Sequence, residues 1–113
     1  MSQPNPFGGV IENLSVEEVK AGLDNGSILL VDVREPNETA VERIPGAVDF
    51  PLSTFDAAVL PDPGEKTLVF SCRSGQRSQK AAAAAQAAGY DLHRHMAGGI
   101  LAWKEAGFPT EQG

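Results

Sequence analysis

The sequence predicts an α/β fold built on a parallel sheet, and three observations carry that prediction. Segments with strand character alternate with segments of helical character along the 113 residues, the pattern of successive βα units. Two strand segments, Ile28–Val33 and Thr67–Ser71, are near-continuous apolar runs, as expected of strands covered on both faces. The second leads through a short polar loop into an alanine-rich helix, an arrangement that opens a site at the carboxyl end of the strand.

The elements follow in order. Residues 1–9, Met-Ser-Gln-Pro-Asn-Pro-Phe-Gly-Gly, read as a flexible lead-in with turn chemistry, and residues 10–113 as the folded domain. Ser15-Val16-Glu17-Glu18 is a capping box that starts a short helix ending near Asp24-Asn25-Gly26. Ile28–Val33 is a central strand. Glu38 to Arg43 is a short helix stopped by Ile44-Pro45-Gly46, and Ala47–Phe50 is a short strand. Ser53 caps a further helical stretch to about Leu60, and Pro61-Asp62-Pro63-Gly64 is a turn. After the strand Thr67–Ser71 and the loop Cys72–Arg77, a helix runs from Ser78 through Ala88 to its stop at Gly89. Its alanines suit close approach to a sheet. Leu92–Met96 is a last strand, and Ile100–Ala106 a last helix, opened by Gly98-Gly99 and stopped by Gly107 with Pro109 beyond.

Composition narrows the function. Hydrophobic residues are 42% and charged residues 21% of the chain, ordinary for a globular protein. No apolar run approaches the ~20 residues that span a bilayer, and Met1–Gly9 lacks the basic flank and apolar stretch of a signal peptide. A cytoplasmic location is therefore expected. The net charge of -6 speaks against nucleic acid and against an anionic membrane as partners. The single cysteine, Cys72, excludes an internal disulfide, a Cys-rich metal site and a resolving cysteine in the same chain. Chemistry on Cys72 thus needs an external acceptor. Between Lys66 and Tyr90 there is no Asp or Glu, while Lys66, Arg73, Arg77 and Lys80 fall in that stretch, which predicts a local positive field around the thiol.

The loop Cys72-Arg73-Ser74-Gly75-Gln76-Arg77 joins a buried strand to a helix whose first backbone N–H groups are unpaired and carry the positive end of the dipole. If the loop curls over the sulfur, those N–H groups hold an anion there. Gly75 permits the curl, Ser74 and Ser78 add hydroxyls, and Arg73 and Arg77 add charge. Each favours thiolate over thiol, and thiolate is the nucleophile. A lone cysteine at a strand end is more often a small buried hydrophobe; two arginines, a glycine and two serines within six positions reverse that reading.

Four segments together resemble the rhodanese-like (sulfurtransferase) family in its single-domain bacterial form: Leu30-Val31-Asp32-Val33-Arg34-Glu35, Ile44-Pro45-Gly46-Ala47, Cys72-Arg73-Ser74-Gly75-Gln76-Arg77-Ser78, and Ala97-Gly98-Gly99-Ile100-Leu101-Ala102-Trp103. The resemblance runs from about Ile11 to Pro109. It implies a five-stranded parallel sheet flanked by helices on both faces. It implies a catalytic Cys72 that becomes a persulfide, held by a cradle of Arg73, Ser74, Gly75, Gln76, Arg77 and Ser78. It also implies that Asp32 and Arg34 are buried, paired and supporting the loop, a structural role. No cofactor or metal is implied. In one region the sequence departs from the family pattern: Ala40, Glu42 and Arg43 replace an aromatic residue and a Gly-His pair.

Loop length separates two chemistries on such a fold. Related phosphatases and arsenate reductases place five residues between cysteine and arginine; here four separate Cys72 from Arg77. The smaller cradle suits one sulfur atom better than a tetrahedral oxyanion, and Ser71, not His, precedes the cysteine. Sulfur transfer is therefore the expected reaction. The donor would be a small anion such as thiosulfate, contacted by Arg73, while Arg77 organises the loop. The acceptor would be a thiol or cyanide, or a protein. The alternative is a persulfide carrier or docking module loaded by a partner protein. His93 and His95 share one face of a strand but make an incomplete metal site, and exposed or loop-packed histidines are the expectation. Gly98-Gly99 resembles a phosphate loop only superficially, and Trp103, Phe108 and Phe7 read as packing residues.

Overall fold

The structure is a computed structural model that describes residues 10–113 together with the backbone of residues 2–4. The remaining positions of the expected lead-in, 1 and 5–9, lie outside the described residues.

Among the described residues, five parallel strands form the body of the sheet. They are β2 (Val10–Leu14), β3 (Ile28–Asp32), β4 (Val48–Asp49), β5 (Thr67–Ser71) and β6 (Arg94–Met96), in the spatial order β2-β6-β5-β3-β4. A sixth strand, β1 (Ser2–Pro4), pairs antiparallel with the outer edge of β2. Two strands differ from expectation. Ser2–Pro4 was expected within a loose lead-in and instead pairs with Val10–Glu12. The Val-Ile-Glu-Asn-Leu of β2 has neither a clean alternation nor a continuous apolar run, so the sequence does not signal it.

Alternation along the strands divides the interior in two. Val31, Val33, Leu68 and Phe70 face one side, where Ala81, Ala82 and Ala85 of helix α3 (Gln76–Ala87) pack against them. Leu30, Val69 and Met96 face the other, against Val16 and Val19 of α1 (Val16–Asp24) and Ile100 and Trp103 of α4 (Gly99–Glu105). The helix α1 begins as its capping box predicts: Glu18 N–H donates to Ser15 Oγ at 3.1 Å, and Ser15 N–H to Glu18 Oε1 at 3.0 Å.

Two helical expectations are corrected. The helix placed at Glu38–Arg43 is α2 (Pro36–Thr39). Pro36 supplies a preset first position, and the Glu38 carboxylate turns back to accept the Glu35 N–H at 3.1 Å. The helix from Ser53 to Leu60 is two 3-10 turns, Leu52–Thr54 and Ala57–Val59. Phe55 between them is extended, with its ring edge-on to Phe50 at 5.5 Å and to Phe70 at 5.9 Å. The partly buried ring packs against the sheet cluster where the chain is extended.

Candidate active site around Cys72

β5 ends at Ser71, and the chain turns directly into the loop and then α3. Cys72 is 1% exposed. Its sulfur accepts the Gly75 N–H at 3.1 Å and lies 3.5 Å from Ser78 Oγ. Gly75 has φ 100°, the left-handed region that favours glycine, and this turn brings its N–H back to the sulfur. Gln79 Nε2 donates to the Gly75 carbonyl at 3.0 Å, and Ser78 Oγ lies 3.2 Å from the same oxygen, which fixes the curl. Arg73, Ser74 and Gln76 are exposed. The loop is thus a small cup at the positive end of a 12-residue helix.

Gly98-Gly99 completes the cup. Ile100 N–H donates to the Cys72 carbonyl at 2.9 Å and Leu101 N–H to the Arg73 carbonyl at 3.1 Å. The start of α4 is therefore pinned on the cysteine loop. A Cβ on Gly99 would collide with both carbonyl oxygens. The glycine pair serves backbone docking between two loops rather than phosphate binding.

The two arginines part ways. Arg77 forms a two-pronged ion pair with Glu38 of α2, 2.6 Å from Nη1 to Oε1 and 2.8 Å from Nη2 to Oε2. The guanidinium holds the Glu38 carboxyl down to about 2, and Glu38 in turn raises Arg77. Arg73 stays exposed on the rim of a cleft of ≈350 Å³, lined also by Glu38, Val41, Glu42, Leu101 and Lys104. The local positive field read from the acid-free stretch is therefore carried at the rim by Arg73, because the fold brings Glu38 to Arg77.

Asp32 and Arg34 are 1% and 4% exposed. Arg34 Nε and Nη2 reach Asp32 Oδ2 at 3.0 and 2.8 Å. Arg34 also donates to the Glu42 carbonyl at 2.8 Å. The pair thus fixes the segment that follows α2, through the Glu42 carbonyl. Where the sequence departs from the family pattern, Glu42 accepts from Lys104 and from Thr110, both at 2.8 Å. Arg43 exchanges backbone hydrogen bonds with Glu111, both at 2.8 Å. These residues tie down the C-terminal tail.

His95 corrects the expectation of an exposed or loop-packed side chain. It is 1% exposed, with Nδ1 2.8 Å from Ser78 Oγ and Nε2 2.5 Å from Asn13 Oδ1. Burial pushes its imidazole below the ordinary value. The available signal was the alternation of β6: Met96 faces the α4 side, so His95 must face α3. His93 lies outside this group, 2.9 Å from Asp91.

A parallel α/β domain with a lone cysteine cupped between a strand and a helix N-terminus defines a class built for anionic sulfur or oxyanion chemistry. Its family is also defined: a profile described as the Rhodanese-like domain matches residues 15–106, and the chain belongs to that family. A sulfurtransferase of Allochromatium vinosum is 37% identical over 86 residues, covering 76% of this chain and 80% of its own. An uncharacterised protein of Synechocystis, slr1261, is 44% identical over 84 residues, 74% of this chain. The match spans about half of that protein, 47% of its length. A solved structure from Rhodopseudomonas palustris, described as a protein of unknown function and possible tyrosine phosphatase, superimposes with TM-score 0.77 at 32% identity. That match covers 89% of this chain and 85% of the other. Sulfurtransferases among its relatives support a sulfurtransferase class for this domain. Among the described residues no helix is long and apolar enough to cross a membrane.

Proposed function

We propose that this domain moves a sulfane sulfur from a small anionic donor such as thiosulfate to a thiol or cyanide, through a persulfide on Cys72. The observation that carries the reading is the Cys72 sulfur, held 3.1 Å from the Gly75 N–H at a helix N-terminus beside an exposed Arg73. The Cys72 thiolate attacks the outer sulfur of thiosulfate. A new S–S bond forms to Cys72, and the old one breaks with its electron pair leaving as sulfite. An acceptor thiolate or cyanide then attacks the terminal sulfur, and Cys72 leaves as thiolate. Both protein states are anionic at the same place, and one cup of N–H and hydroxyl donors serves both. Arg73 is the candidate donor-binding residue. Arg77, bound by Glu38, organises the loop. Asp32, at the end of β3, and Arg34, two residues on, support it. A lone thiol of this kind suits a reducing compartment such as the cytoplasm.

A second reading has the domain as a persulfide carrier loaded by a partner protein, and the presence of a similar domain within a longer Synechocystis chain favours it. A cyanide-coupled assay separates the readings. Thiosulfate turnover that is abolished in Cys72→Ser supports the enzyme. Negligible turnover beside rapid loading from a persulfide-forming protein supports the carrier. Turnover of an aryl phosphate, lost in Cys72→Ser, would overturn both in favour of a phosphatase.

A further inference from the structure

His95 is a buried titratable group that sulfur transfer as described does not use. Burying an imidazole is unfavourable unless its polar atoms are paired, and here both nitrogens are engaged. The partners set its tautomer. Asn13 Oδ1 accepts at 2.5 Å, so the ring proton sits on Nε2 and Nδ1 presents a lone pair. Ser78 Oγ, 2.8 Å away, then donates its single hydroxyl proton to Nδ1, the nearer acceptor, rather than to the Gly75 carbonyl at 3.2 Å. Its own lone pairs face the Cys72 thiol at 3.5 Å. Ser78 is the polar member of the buried stripe that α3 lays on the sheet with Ala81, Ala82 and Ala85. The result is one directed chain, Cys72 to Ser78 to His95 to Asn13, closed from solvent at Cys72, Ser78 and His95.

We propose that Ser78 and His95 form a buried relay that takes the thiol proton of Cys72 as its thiolate forms. The inference rests on Cys72 being the reactive nucleophile. The S–H bond breaks and its proton passes to Ser78 Oγ, while the hydroxyl proton of Ser78 passes to His95 Nδ1. Cys72 is left as thiolate, Ser78 as a neutral hydroxyl directed at the sulfur, and His95 as imidazolium still donating to Asn13. No net charge is created. Burial favours the neutral ring with its Nδ1 lone pair toward Ser78, and the thiolate formed nearby is the charge that offsets the cost of the imidazolium. The elements packed on His95 present Asn13 from β2, Phe70 from β5 and Ser78 from α3. None of these is charged, so Cys72 is the titratable group it answers to. Glu12 and Arg94, next in chain to Asn13 and His95, pair with each other at 2.7 Å. A Cβ at Gly75 would lie 3.8 Å from His95 Cε1, so the cysteine loop rests on the ring. His95 acts through Ser78 and is a positioning residue.

The test is the alkylation rate of Cys72 by iodoacetamide as a function of pH, a readout that needs no sulfur donor. It therefore fails or succeeds independently of thiosulfate activity. In His95→Asn and in Ser78→Ala the rate at neutral pH falls about tenfold, recovering as pH rises by about one unit, and the double variant shows no further loss. A folded variant of either kind with the wild-type profile overturns the relay. Should either variant not fold, nitrogen NMR of the native protein decides. The Nδ1 resonance of His95 shifts in step with Cys72 ionisation, and that step vanishes in Cys72→Ser; a His95 signal indifferent to Cys72 overturns the relay.

Discussion

Arg73 and Arg77 flank the same loop, yet their surroundings give them different work. Arg77 is half-buried against Glu38, whereas Arg73 is exposed beside the cleft. A charge-assisted hydrogen bond to a dianion contributes about 1.5–3 kcal/mol. Arg73→Ala should therefore raise KM for thiosulfate about ten- to a hundredfold with a smaller change in kcat, and steady-state kinetics would show it. An unchanged KM would remove Arg73 from donor binding. Glu38 makes a pH prediction. Its folded value of about 2 lies below the ordinary 4.5, so its stabilisation is present above 4.5 and is lost as pH falls toward 2. Denaturant unfolding should find Glu38→Gln less stable by about 1 kcal/mol at neutral pH, with the gap closing across that acid window. A gap constant with pH would contradict the ion pair.

At the scale of elements, β5 and its loop were the most legible. An apolar run, one cysteine and a glycine place Thr67–Ser71, the turn and α3 with only small shifts at the ends. Helix α2 and the 3-10 turns were less legible, because Pro36 starts α2 early and Phe55, extended and packed on Phe70, divides the turns. The Gly98-Gly99 pair could be seen in the sequence, but its role could not. That role depends on α4 reaching the Cys72 and Arg73 carbonyls. Gly99→Ala should cost about 1–3 kcal/mol and lower sulfur transfer by displacing the loop. Gly89→Ala is the control: it has comparable positive φ, at 93° against 59°, but open space around its Cα. If the two variants lost the same activity and stability, the docking role of Gly99 would be wrong.

The whole molecule brings together what the chain keeps apart. Arg77 and Glu38 are 39 residues apart, and His95 and Asn13 are 82 apart. Neither pairing is visible in spacing, whereas Cys72 and its loop are contiguous and were readable. The same logic explains why the acid-free stretch overstated the positive field: Glu38 reaches Arg77 through tertiary structure. Two apolar layers, one under α3 and one under α1 and α4, hold the sheet so that the end of β5 meets both the loop and the start of α4. The central claim is that this cup carries sulfur on Cys72. Intact mass spectrometry after incubation with thiosulfate tests it most directly. The expected result is a gain of one sulfur atom, reversed by cyanide or a thiol and absent in Cys72→Ser; an unchanged mass with a free, alkylatable Cys72 would contradict thiosulfate as the donor.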